Sequence, residues 1–468
     1  MYPTMQGFDR VQGLNGPLSN GTSRLRGPGR RRDGCTECKR KKVRCDLARP
    51  TCTRCLRYPR GCIYNLSIIP DKPSKPQEKR NSPSAIARQP SLKLSPLFSS
   101  EQDQFYMHVF GTETALRLFP AAPRVFLQSL ISSATQTPHL FYALLAAACS
   151  HHGRLVDYSN SEPPTLCLKY TTLALSSLNS TLQTSTEQTL TAETVATAMA
   201  LCTNDVCNGN MAVWRTHLAG AGDLLTTLLK TRSAAGDPYI DCLVKWFTTL
   251  NVLSGMSGSH SGCLDLDAIS TQPEPSDSEI TIDNICGYSL DLVPLLVRMS
   301  HLINGGDLDI ETEGPDASLI ETQLHALLTS PAAPEPSSPT GLSTTELQHT
   351  HAAFVHCSLL HLHRRVRKLA KHNPLVRSDI ANILATIGAI APSSSANILI
   401  LWPIFSAGCE TDDLEERSLI QERMGYMRKL GLGNFTRAAQ LLDQYWASNT
   451  ALPWDVYFST LGLEMVLF

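Results

Sequence analysis

Residues 35–62 read CTECKRKKVRCDLARPTCTRCLRYPRGC. Two residues separate Cys35 from Cys38, and six lead on to Cys45. Six more lead to Cys52, where the unit repeats as Cys52, Cys55 and Cys62. Two equal sets of three thiols are soft donors of the kind that suit zinc, which in structural sites takes four ligands in a tetrahedron. Two separate tetrahedra need eight ligands, so six thiolates serve two metals only if two of them are shared. The spacing therefore predicts a binuclear cluster with two bridging and four terminal sulfurs. Two Zn2+ and six thiolates sum to about −2. The segment carries the compensating charge on Lys39, Arg40, Lys41, Lys42 and Arg44 in one half and Arg49, Arg54, Arg57 and Arg60 in the other. A disulfide framework is the bland alternative. It needs an oxidising compartment, and residues 1–34 offer no apolar core of a secretion signal.

The six cysteines, the basic run Lys39 to Lys42, Arg44, Asp46 and Pro50 together resemble the DNA-binding domain of the fungal Zn(2)-C6 binuclear zinc cluster transcription factors. The resemblance implies two Zn2+ as cofactors, with Cys35 and Cys52 bridging and Cys38, Cys45, Cys55 and Cys62 terminal. It also implies double-stranded DNA as partner, a nuclear location, and regulation of RNA polymerase II transcription through a CGG-type triplet. Lys42 would be the main base reader, and Pro50 would shape the turn between halves. The chemistry suits that reading. A short helix over about Thr36 to Lys42 sets Lys41 and Lys42 ~100° apart. Its C-terminal carbonyls can accept from cytosine N4, and a lysine there matches guanine O6 and N7. Lys39, Arg40, Lys41, Lys42 and Arg44 are thus the expected DNA contacts.

Outward from this stretch the charge changes sign. From Arg24 to Cys62 fourteen Lys and Arg stand against three acids, a net of +11, which leaves −12 on the rest of a chain whose total is −1. A basic module on an acidic body is the pattern of a nucleic-acid arm. Residues 1–29, rich in Gly, Pro, Ser and Asn, are expected to be a disordered arm. The basic run at its end and just beyond it (Arg24, Arg26, Arg30 to Arg32) is read as a phosphate contact or nuclear import signal rather than a solvated charge run. Residues 66–104 form a disordered linker punctuated by Pro70, Pro73, Pro76, Pro83, Pro90 and Pro96. Proline excludes the uninterrupted heptads of a coiled coil, which many members of the family carry here. That departure argues against paired binding through this segment and leaves self-association to the body.

Residues 105–468 show apolar spacing of three and four, the period of helices. Helices are expected over Pro138 to Leu155, Tyr170 to Leu182, Glu193 to Cys202, Met211 to Leu229 and Tyr239 to Met256. A Ser-x-x-Glu capping box at Ser343 to Glu346 opens a long one toward Lys371, and Trp454 to Phe468 is expected to be packed helix. The breaks near Gly258 to Asp283, Gly305 to Asp316 and Thr329 to Gly341 are read as surface loops. The helix at His139 to His152, the segment Trp214 to Ala221, and Leu401 to Glu410 followed by Arg423 and Trp446 resemble the fungal-specific transcription factor regulatory domain. The whole is predicted to be mostly α: a zinc cluster domain over 30–65, the linker, and a large all-α regulatory domain.

Other features carry less. His349, His356 and His363 recur every seven residues, about 10 Å apart, without the i, i+4 spacing of a helical metal site, so a polar face or satisfied core histidines is expected. The run Arg364, Arg365, Arg367, Lys368 and Lys371 is expected to be a solvated helix end. The nine cysteines outside the cluster are expected to be reduced, buried thiols. Ser254 to Gly262 lacks the nucleophile elbow of hydrolases, and no phosphate loop or dinucleotide fingerprint occurs, so no enzyme is expected. No stretch approaches the ~18 apolar residues of a membrane span. Partners beyond DNA are expected to be the transcription machinery or a second copy, met through the helical body.

Overall fold

The computed structural model describes residues 35–43, 45–46, 52–55, 62, 97–98, 100–156, 165–209, 213–231, 236–257, 280–304, 310–335, 341–463 and 466–467. The expected arm over 1–29, its basic end, Pro50 and nearly all of the expected linker lie outside the described residues. The chain divides into two units, Met1–Asn65 and Leu66–Phe468. The described residues of the first form a five-residue helix, α1 (Thr36–Arg40), and a 3-10 turn over Thr53–Cys55.

The described residues of the second unit are mostly helical. Its first half runs α2 (Glu101–Val109), α3 (Ala115–Leu118), α4 (Arg124–Ala134), α5 (Pro138–Val156), α6 (Thr165–Thr184), α7 (Ala192–Cys207), α8 (Trp214–Thr231) and α9 (Pro238–Met256). Strand β1 (Ile280–Ile282) then leads to α10 (Leu292–Asn304), α11 (Ile310–Thr329) and strand β2 (Ala332–Pro334). The second half continues with α12 (Thr344–His361), α13 (Pro374–Ala389), α14 (Leu401–Glu410), α15 (Leu414–Arg428), α16 (Gly433–Ser448) and α17 (Trp454–Thr460). The helices expected between Pro138 and Met256 are all present, with ends moved by up to five residues.

Local chemistry sets many of the starts. Ser343 Oγ accepts from Glu346 N at 3.2 Å while Glu346 Oε2 accepts from Ser343 N at 2.8 Å, a reciprocal capping box. Asp237 and Asn373 each cap a helix that has proline at its first position. Burial sets the rest. Every residue of α14 is buried, as expected of a helix apolar all round. α5 packs on α6 and α7, and α12 packs on α13 and α14. Trp214, Trp246, Trp402 and Trp454 are fully buried in one continuous core. Two glycines permit the approach of α16 to α5 and α7. Gly431 has φ +81°, and an added Cβ would lie 2.8 Å from Leu155. At Gly433 it would lie 2.6 Å from the Cys207 carbonyl.

Four expectations need correction. The breaks before Asp283 and after Thr329 are not simply loops: β1 and β2 pair in parallel, Ile280 opposite Ala332. The pair is tied down by Lys245, whose Nζ lies 2.8 Å from both Asp283 and Glu335. The break at Gly305 to Asp316 is shorter than expected, because α11 already begins at Ile310 and takes in Pro315. The long helix stops at His361 and loosens into a π turn over Leu362–Val366. After Trp454 the helix spans only Trp454–Thr460.

The basic run at that π turn is not a solvated end either. Arg364 Nε pairs with Glu410 at 2.5 Å, Arg365 with Asp455 at 2.5 Å and Arg367 with Glu321 at 2.6 Å. Lys371 donates to the Cys409 carbonyl at 3.0 Å, and Lys368 is exposed. These arginines neutralise acids on other helices, two of them, Glu410 and Asp455, buried. The histidines split. His351, His361 and His363 are buried and hydrogen-bonded, whereas His349 and His356 are half-buried. The eight described cysteines of the body are free and buried, and Cys263 lies outside the described residues. Among the described residues no helix is long and apolar enough to cross a membrane.

Candidate metal centre and nucleic-acid interface

Cys35 stands just before α1 and Cys38 one turn inside it, so a single helical turn aims both sulfurs to one side. The second half does the same with Cys52 and Cys55 around its 3-10 turn. Two tetrads result. Cys35, Cys38, Cys45 and Cys52 form one and Cys35, Cys52, Cys55 and Cys62 the other, with all sulfurs of each within 4.8 Å of one another. Cys35 and Cys52 are common to both. Sulfur separations are 3.6 Å for Cys38 to Cys52, 3.8 Å for Cys35 to Cys52 and 3.9 Å for Cys35 to Cys55. Zn–S bonds of about 2.3 Å give a tetrahedral edge of about 3.8 Å. The donor set therefore fits two zinc ions in kind, number and spacing.

Backbone groups support the sulfurs. The Cys38 amide donates to Cys35 Sγ at 3.4 Å, and the Cys52 amide to Cys62 Sγ at 3.2 Å. Asp46, from the first half, accepts from the Thr53 amide at 3.2 Å and so holds the turn of the second. Burial works against ionisation at three of the thiols. Burial pushes Cys55 up to about 12, and it raises Cys38 and Cys62 as well. At Cys52 burial acts in the same sense, but hydrogen bonds from Cys55, Cys38 and Cys62 outweigh it and hold the thiol at about 6. A zinc ion reverses this balance, because it binds and stabilises the thiolate.

The basic run does not form one uniform face. Glu37, in the first turn of α1, takes a two-pronged bond from Arg40, at 2.9 Å from Nε and 2.7 Å from Nη2. It also pairs with Lys41 at 2.8 Å. Arg40, then Lys41, hold the Glu37 carboxyl at about 2, well below the usual range. The sequence held this signal, since Glu37 stands three and four residues before its partners, yet reading the run as free cations missed it.

Lys42 differs from the expectation more sharply. α1 ends at Arg40, not Lys42. The Val43 amide reaches back to the Cys38 carbonyl at 3.0 Å, and Lys42 takes φ 55°. This is the left-handed residue of a Schellman ending, a place normally taken by glycine or asparagine. Lys42 is exposed, and no acid among the described residues is paired with it. Lys39 lies on α1, with its side chain outside the described atoms, and Arg44 lies outside the described residues.

Residues 33–68 match the Fungal Zn(2)-Cys(6) binuclear cluster domain. Residues 104–468 match the Fungal specific transcription factor domain. Over 36 residues the chain is 50% identical to a lysine biosynthesis regulatory protein of Saccharomyces cerevisiae, covering 8% of this chain and 5% of the relative. Over 150 residues it is 30% identical to the transcriptional regulator alnR of Emericella nidulans, covering 29% of this chain and 34% of the relative. The chain thus spans about a third or less of the curated relatives it matches. No solved structure matches it. The chain belongs to the fungal transcription factors that join a Zn(2)-Cys(6) binuclear cluster domain, which binds two zinc ions, to a fungal specific transcription factor domain.

Proposed function

We propose that this protein is a nuclear, sequence-specific regulator of RNA polymerase II transcription that reads a CGG-type triplet in the major groove. The observation that carries the reading is the pair of four-sulfur sets that share Cys35 and Cys52 beside a basic helix end. In this reading Cys35 and Cys52 bridge two zincs, and Cys38, Cys45, Cys55 and Cys62 complete the tetrahedra. The zincs supply no chemistry beyond holding the module in shape. Lys42, exposed and beyond the end of α1, reads guanine O6 and N7. The carbonyls that the helix end leaves unbonded accept from cytosine N4. Lys39, Arg40, Lys41 and Arg44 face phosphates, with Glu37 holding Arg40 and Lys41 in place. The helical body takes the regulatory role, by contact with the transcription machinery or with a second copy. No reaction is assigned to it.

The test is a salt titration of two variants on specific and scrambled duplexes. Lys42→Ala should lower specific binding by about 1–3 kcal/mol and leave random binding nearly unchanged. Arg40→Ala should weaken both alike and reduce the salt slope by roughly one phosphate's share. An unchanged specific-to-random ratio in Lys42→Ala would remove Lys42 as the reader.

A further inference from the structure

The basic helix α1 contains one acid, and the structure sets it between two of the expected DNA contacts. Glu37 stands in the first turn with its side chain 18% exposed, while Arg40 and Lys41 keep 71% and 54% of theirs in solvent. Arg40 gives Glu37 its Nε–Nη2 edge, one nitrogen to each carboxylate oxygen. Lys41 Nζ lies on Oε1, the oxygen that also takes Arg40 Nη2. A lone exposed ion pair adds little, but a two-pronged arginine in a three-charge network is the arrangement that persists. Lys42, next along the chain, lies outside this network.

The three charges sum to +1, where the cations alone give +2. The edge of Arg40 that Glu37 occupies is also one a phosphate takes by two hydrogen bonds. A phosphate must therefore meet the guanidinium elsewhere or displace the carboxylate. Random DNA is held almost wholly by phosphate contacts, so it bears the full cost. On the preferred triplet the cost is offset. There the base contacts of Lys42 fix where α1 stands, and cations already held in one place lose less freedom on meeting the flanking phosphates.

Resting on the reading of this module as the reader of a DNA triplet, we propose that Glu37 is a specificity-determining residue. By clamping Arg40 and Lys41 it lowers affinity for DNA of every other sequence more than for the triplet. It acts through the two cations it holds, not on a base.

The test uses the full chain with zinc, on a duplex carrying a CGG triplet and on a scrambled one. Glu37→Gln removes the charge and keeps the shape. It should tighten scrambled-duplex binding about threefold at about 50 mM salt and steepen the salt slope by about 0.9, one phosphate's share. Binding to the triplet should change less, so that the specific-to-random ratio falls at least about twofold while two zincs are retained. In a chain carrying Arg40→Ala and Lys41→Ala, the same Glu37→Gln should leave the ratio where it was, because nothing remains to hold. Scrambled binding that does not tighten would overturn the proposal, as would an unchanged ratio or one that falls equally without the two cations. Loss of zinc in Glu37→Gln would make the residue a structural one and overturn it as well. If the unaltered chain prefers no triplet, the reading of the module fails, and tightening on scrambled DNA still decides whether the clamp restrains phosphate contact.

Discussion

The two units reach stability by opposite routes. In the first, the buried residues among those described are five cysteines, with Cys45 packed against them. In the second, one continuous core runs from Met107 to Leu467 and contains four tryptophans buried to the last few per cent. A segment of some forty residues is too short to bury a sufficient core, so metal bonds take the place of apolar area. The body has area in abundance. The difference teaches that the same residue type plays opposite parts. Cysteine is a ligand where sulfurs converge and a small apolar filler where it stands alone, as at Cys357 and Cys409.

The largest effect should come from removing zinc. Chelation should abolish DNA binding and unfold the first unit, since structural zinc supplies folding energy on the order of 10 kcal/mol or more. The thermal transition of the body should not move. Metal analysis should return two zincs per chain, and Cys38→Ser should abolish the pair. A body that melted on chelation would break the contrast. The converse experiment is Trp402→Ala, which should cost the body about 3–5 kcal/mol and leave the zinc content at two.

His363 sharpens the comparison within the body. Its imidazole donates to Asp379 at 2.6 Å and to Glu321 at 3.1 Å, so it bridges α11 and α13. Burial opposes the imidazolium, but bonds to Asp379 and then Glu321 hold its pKa above the ordinary value. A pKa raised by folding adds stability that is complete below about 6.5 and is lost as pH rises through the raised value. The neutral core histidines act the other way. Burial lowers His151 and His361 to about 3, so the folded state loses ground as pH falls below about 6.5. Denaturation midpoints of the body should therefore peak near neutrality. His363→Gln should cost about 3 kcal/mol, because Asp379 is left buried without its cation, and should flatten the alkaline side of the profile. A profile identical to that of the unaltered protein would show that the bridge is not charged. The smallest effect is Ser343→Ala, about 1 kcal/mol from loss of one cap, read as a small drop in melting temperature.

Much of this was legible because it is local. The cysteine spacing, the capping box at Ser343 and the periodicity of α5 to α9 all depend on residues within a turn or two of one another. The basic run at Arg364 to Lys371 was misread because its partners are distant in sequence. Arg365 meets Asp455 ninety residues away, and no spacing rule reports that. The parallel pairing of β1 and β2 was missed for the same reason: three-residue strands have too little text to declare a period.

By itself the sequence determined the donor set, the number of metals it can satisfy, the division into a basic module and an acidic helical body, and the positions of most helices. These rest on composition, spacing and period, which are properties of the chain before it folds. Only the tertiary structure decided which sulfurs stand in both tetrads, since convergence in space is not a spacing. It set Lys42 in a left-handed turn that its residue type disfavours, because the Val43 amide returns to Cys38 and the cluster fixes both ends. It paired Arg40 and Lys41 with Glu37 and drew Arg364, Arg365 and Arg367 inward to acids on other helices.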